Sequence, residues 1–168
     1  MNHAKPDGSE ADGGRRDAAT RDVEYEQMLL NRYATSHHRT RALERSAYVM
    51  LSCILVQGPM SIGQLGDALG LDPSTLNRQT AAAVHAGLLE RIPDPFGGVA
   101  RKFCVTDTGV RAVERERFAV LQSLEKLLVD WSTEDISAFA SYLRRVNVDI
   151  ERLTGRLRPG RTGLQEGP

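Results

Sequence analysis

Cysteine is scarce, with only Cys53 and Cys104 in 168 residues. Two thiols exclude a disulfide scaffold, and neither has a Cys or His at ligand spacing, which excludes a closed zinc site. A reducing compartment fits this usage, with each cysteine read as a small apolar side chain rather than a redox sensor. Aromatic residues make up 5% of the chain, so the core must come from Leu, Val, Ile and Ala. Net charge is absent, 22 basic against 22 acidic residues. Bulk electrostatics therefore offer nucleic acid no attraction, and a DNA partner must be argued from local layout. No apolar run approaches the roughly 20 residues of a membrane helix. The opening MNHAKPDGSEADGGRRD lacks the apolar stretch of a secretory signal, so a cytoplasmic location and no membrane partner are expected. Catalytic patterns are missing too. Gly97-Gly98 is not followed by the Lys-Ser/Thr of a phosphate loop, and no Ser-His-Asp order or acid cluster stands in a plausible context. No enzyme, cofactor or metal is expected.

What is present suits one soluble domain: 40% hydrophobic and 26% charged residues. Residues 1–22, with Pro6, Gly8, Gly13, Gly14 and both charge signs, read as a disordered arm. Residues 155–168, GRLRPGRTGLQEGP, read as a flexible tail. The large apolar side chains fall in 23–154, and their spacing predicts a mostly α fold.

A first helix is expected from Val23 to about Thr40, with Tyr25, Met28, Leu29 and Tyr33 facing inward. A second spans about Leu43–Gln57, where Ala47, Met50, Leu51, Ile54 and Leu55 share one face. Gly58-Pro59 ends it. Ser61 caps a short helix carrying Ile62, Leu65, Ala68 and Leu69, closed by Gly70. Asp72 caps the next, Pro73 takes its first position, and Leu76, Thr80, Ala83, Val84 and Gly87 face inward. The period then changes. Leu88–Ile92 and Arg101–Val105 read as strands around the turn PDPFGG, a hairpin. A long helix follows to about Asp130, with Val110, Val113, Val120, Leu121, Leu124, Leu127 and Leu128 in its stripe. The last helix starts at Ser132, with Asp135 three residues on and Trp131/Ile136 as a hydrophobic staple. Its stripe of Ile136, Phe139, Ala140, Leu143, Val146, Ile150 and Leu153 recurs at nearly 3.5-residue spacing.

Residues 61–87 have the proportions of a helix-turn-helix. The outer face of the second helix begins Ser74, Thr75, Asn77, Arg78, Gln79, side chains able to bond phosphates and base edges. No acid lies between Pro73 and Leu89, and a hairpin bearing Arg101 and Lys102 follows as a wing.

In SIGQLGDALGLDPSTLNRQTAAAVHAGLLER, in Asp94-Pro95 and in the VTDTG that closes the wing, the chain resembles MarR-type winged helix-turn-helix regulators. The resemblance makes 43–109 the DNA-binding core, and 23–42 and 110–154 dimerisation helices. It implies a homodimeric regulator on double-stranded, pseudo-palindromic DNA, released by a small aromatic or phenolic effector; repression is taken as the default, being the commoner outcome when a dimer occludes a promoter. On helix position, Tyr33, His37, Tyr48 and Phe118 would line the effector pocket. The family's wing carries Asp-x-Arg, whose Arg enters the minor groove; the ungapped register puts Gly97 and Val99 there. Either Arg101 or Lys102 contacts phosphate instead, or the wing contributes little. Weaker or more salt-sensitive binding, or a different operator preference, is expected. Thiol sensing in the family generally uses a cysteine of the first helix, and this chain has none there.

The competing reading is a winged-helix protein-interaction module that has given up DNA. His37 and His38 suit a solvated loop as well as a pocket or metal site. Four arginines against one glutamate in 31–45 suit a solvated face as well as flanking phosphate contact.

Overall fold

The computed structural model describes residues 8–36, 43–95 and 97–155. Six helices and one hairpin follow in order: α1 Gly8–Ser36, α2 Arg45–Gln57, α3 Ile62–Leu69, α4 Pro73–His85, β1 Leu89–Ile92, β2 Lys102–Val105, α5 Asp107–Leu127 and α6 Thr133–Thr154. The chain divides into two units, Met1–Arg41 and Ala42–Pro168.

The first unit contributes α1, which begins at Gly8 and not at Val23. Residues 8–22 are therefore helical where a disordered arm was expected. Ala18, Ala19 and the arginines between Arg15 and Arg21 are strong helix formers, and they offset Gly13 and Gly14, which cost about 1 kcal/mol each against Ala. Arg15 pairs with Asp12 at 3.8 Å, one turn away. Every described side chain from Asp12 to Arg32 is exposed, Val23, Tyr25, Met28 and Leu29 included. His37 to Thr40, the expected end of this helix, lie outside the described residues.

The second unit holds the core. Met50, Leu51 and Ile54 of α2, Leu65 of α3, Leu76 of α4 and Val113 of α5 are fully buried against one another. Cutting such a side chain to Ala costs about 2–5 kcal/mol. Cys53, not Leu55, completes the buried face of α2; Leu55 is exposed. Burial pushes the Cys53 thiol up from its ordinary value, and its Sγ lies 3.8 Å from the Met60 sulfur.

Local chemistry fixes the helix ends. Ser61 and Gln64 form a full capping box, and Gly70 closes α3 in the left-handed region at φ 68°. The Ser132 hydroxyl accepts from the Asp135 N–H at 3.1 Å. Trp131 packs edge-on against Phe139, ring centres 5.7 Å apart.

The hairpin is antiparallel, pairing Leu89 with Val105 and Ile92 with Lys102. Met60, between α2 and α3, exchanges two backbone hydrogen bonds with Phe103 at 2.8 and 3.1 Å, which fastens the hairpin to the helical core. The Thr106 hydroxyl caps α5 and donates to the Gly87 carbonyl at 2.6 Å. A Cβ at Gly109 would overlap the Leu88 carbonyl, so only glycine lets α5 approach the strand. Beyond Glu116, α5 turns outward, and Phe118, Leu121, Leu124 and Leu127 are exposed. α6 buries no residue, although Ile136, Phe139, Leu143, Val146 and Ile150 line one side of it.

Candidate nucleic-acid interface

α4 is built with two sides. Leu76, Thr80 and Ala83 are buried, and the Thr80 hydroxyl donates to the Leu76 carbonyl at 2.8 Å, so that hydroxyl is satisfied beneath the helix. Ser74, Asn77, Arg78, Ala81 and His85 recur at helical spacing on the exposed side. α3, the left-handed Gly70 and the Asp72 cap set α4 at the surface, and Gly87, at φ 69°, turns the chain from α4 into β1.

The start of α4 carries an acid that the outward-face reading did not weigh. The Asp72 carboxylate accepts from the Ser74 hydroxyl, from the Thr75 hydroxyl at 2.7 Å and from the Thr75 N–H at 2.9 Å. These bonds, Ser74 first, hold its carboxyl well below the usual carboxylate range. Both hydroxyl protons expected for phosphate are therefore directed at Asp72. The signal was legible: an acid before Pro with two hydroxyl residues following is a cap that uses them.

Gln79 is half-buried and turned away from the exposed stripe. With Arg78 it lines a cleft of about 360 Å³ against Leu43, Glu44, Ser46 and Ala47 at the start of α2. Its Oε1 is shielded and has no hydrogen-bond partner among the described residues.

The wing separates the two cations either of which was expected at phosphate. Lys102 is buried, and its Nζ lies 3.0 Å from the Asp94 carboxylate. Both faces of β2 are covered here: Phe103 by the core, Lys102 by the turn containing Asp94. Arg101 is exposed, and Val99, in the register of the family's wing Arg, is fully exposed. Arg91 stacks over the Phe103 ring, 5.3 Å from its centre.

Of the four residues expected around an effector, only the side chains of Tyr48 and Phe118 are described. The Tyr33 side chain and His37 lie outside the described residues. Tyr48 is half-buried against the core, and Phe118 is 62% exposed on α5. A second cleft, of about 250 Å³, is lined by Gln57, Pro59, Met60 and Gln64 and by neither of them. Among the described residues no group of His, Cys, Asp or Glu is placed to hold a metal, and no helix is long and apolar enough to cross a membrane.

A helix-turn-helix closed by a two-stranded wing defines a winged-helix transcription regulator. Comparison places the chain within that class. The family model for MarR matches residues 43–96. The HTH-type transcriptional regulator YxaD of Bacillus subtilis (strain 168) is 34% identical over 129 residues, 74% of this chain and 90% of that protein. The chain belongs to the MarR family, whose members are regulators and not enzymes. A MarR family protein from Bacillus stearothermophilus shares the fold at a TM-score of 0.69, with 21% identity over 82% of this chain and 96% of that one. The PcaV transcriptional regulator from Streptomyces coelicolor, solved with its natural ligand, superposes at 0.55, with 22% identity over 71% of this chain and 89% of that one.

Proposed function

We propose that this regulator is a homodimeric, cytoplasmic repressor that occludes a pseudo-palindromic operator in double-stranded DNA and leaves it when a small aromatic or phenolic effector binds. The two-sided build of α4 carries this reading. Its buried side fixes the helix, and its exposed side offers Asn77 and Arg78 with no acid further along. The Arg78 guanidinium has the forked donors that suit guanine N7 and O6 or a phosphate, and the Asn77 amide suits adenine. Ser74 and Thr75 reach phosphate only by exchanging their bonds to Asp72. Arg101, just before β2, is an exposed cation of the wing. The outward apolar residues of α5 and α6 support pairing with a second copy, which would set two α4 helices about 34 Å apart, one turn of duplex.

Fluorescence anisotropy on the DNA upstream of the coding sequence, at two salt concentrations, tests the reading. Binding should be tight and fall with salt, and Arg78→Ala should lose about 1–3 kcal/mol. Unchanged affinity in that variant refutes the assigned face. For the effector, PcaV in complex with its natural ligand is the supporting parallel. A broad panel of small aromatic compounds that releases no bound DNA counts against it.

Gly97 and Val99 in the register of the family's wing Asp and Arg, with Lys102 paired internally to Asp94, favour a second reading, a protein-interaction module without DNA. Absence of salt-dependent DNA binding in the same titration selects it.

A further inference from the structure

We infer that the wing is locked from within by the Asp94–Lys102 ion pair, so that Lys102 positions the hairpin and takes no part in phosphate contact, which falls to its neighbour Arg101. The inference rests on the DNA-binding reading for its consequence, but not for the lock itself.

Three observations carry it. The pair is close, 3.0 Å, and both side chains are largely covered, 10% exposed for Lys102 and 14% for Asp94. The turn is shaped around it. The Gly97 N–H donates to the Asp94 carbonyl at 3.0 Å with Gly97 at φ 81°, a conformation that favours glycine. A Cβ at Gly98 would overlap the Asp94 carboxylate, so a side chain there would displace the acid from its place against Lys102. Finally, successive residues of a strand face opposite ways. Lys102 turns in under the loop, and Arg101, just before β2, is exposed. The wing thus spans a turn that holds a carboxylate without offering it to DNA, because the carboxylate is neutralised before DNA arrives.

A covered ion pair fails when one partner is removed, since the other charge is left uncompensated, and it suffers less when both go. This separates positioning from contact. A lysine on phosphate contributes about 0.9 to the slope of log affinity against log salt. The experiment measures that slope, on a duplex enriched from a random-sequence pool by the wild-type protein, for Lys102→Gln, Asp94→Asn, the double variant and Arg101→Gln. Amide hydrogen exchange at Gly97 is followed in each without DNA.

We expect Lys102→Gln and Asp94→Asn each to weaken binding about ten-fold with the slope unchanged, and to lose exchange protection at Gly97, whose N–H donates to the Asp94 carbonyl. The double variant should bind and protect better than either single one. Arg101→Gln should lower the slope by about 0.9 per protomer and leave exchange as it was. The result for Asp94→Asn is the sharpest, because simple removal of a negative charge near DNA would tighten binding. A slope lowered in Lys102→Gln and in the double variant, tighter binding by Asp94→Asn, or unchanged exchange in both single variants overturns the inference. If the pool yields no enriched duplex, the regulator reading falls, and exchange alone still decides the lock.

Discussion

Leu143 gives the most direct access to the proposed assembly. It lies in the middle of the α6 stripe and is 45% exposed in one copy of the chain. Full burial of a leucine is worth about 1.5–3 kcal/mol, so covering the exposed share recovers about 0.7–1.4 kcal/mol per protomer. A two-fold interface counts each residue twice, which brings the effect to about 1.4–2.7 kcal/mol per dimer. Leu143→Ala should therefore raise the dimer dissociation constant about 10- to 100-fold. Leu143→Asp should raise it further, because a carboxylate would enter an apolar contact unpaired. Arg145→Ala, on the other side of the same helix, is the control and should change it little. Sedimentation equilibrium over a concentration series reads all three. A wild-type chain that stays monomeric at high concentration, or Leu143 variants that dimerise as well as wild type, would refute the assignment of this stripe to a second copy. α6 would then need another reason to keep Phe139, Val146 and Ile150 in line with it.

Two further expectations concern groups whose titration the fold displaces. Asp72 has a folded-state pKa below its unfolded one, so its contribution to stability is present above about pH 4 and is lost as pH falls through the folded value. The Tm difference between wild type and Asp72→Asn should thus be largest near neutral pH and shrink in acid, and a difference that grows in acid would contradict the cap. Cys53 is fully buried with its thiol pushed up, and Cys104 is half-buried. A thiol reagent at pH 8 should modify Cys104 first and reach Cys53 on the unfolding timescale; Cys104→Ser should abolish the fast phase, and fast modification that persists in that variant would place Cys53 at the surface.

The parts of the fold written in local chemistry were readable from the chain. Ser61, Gly70, Asp72, Pro73 and Thr106 each act on residues within a few positions, and each sits at the helix end it signals. Period carried the rest of the core, with Met50, Leu51, Leu65, Leu76 and Val113 inside. What escaped was set by pairing between side chains. Period alone assigns Ser74 and Thr75 to the outer face of α4, where Ser74 is exposed and Thr75 half-buried, but it cannot say that an acid at the cap holds their protons. Alternation places Lys102 opposite Phe103 and so outward, which is right for a strand with one face in water. It fails here because the turn folds Asp94 back over that face. Composition points the opposite way at Gly8 to Asp22, where three glycines and mixed charge suggest disorder, while alanine and arginine at helical spacing extend α1. The same distinction bears on net charge. A sum of zero says little about a DNA face when Asp72 and Asp94 are both satisfied by partners within the protein. The charges left exposed on α4 and just before β2, at Arg78 and Arg101, are the ones that the proposed interface would present to a phosphate backbone.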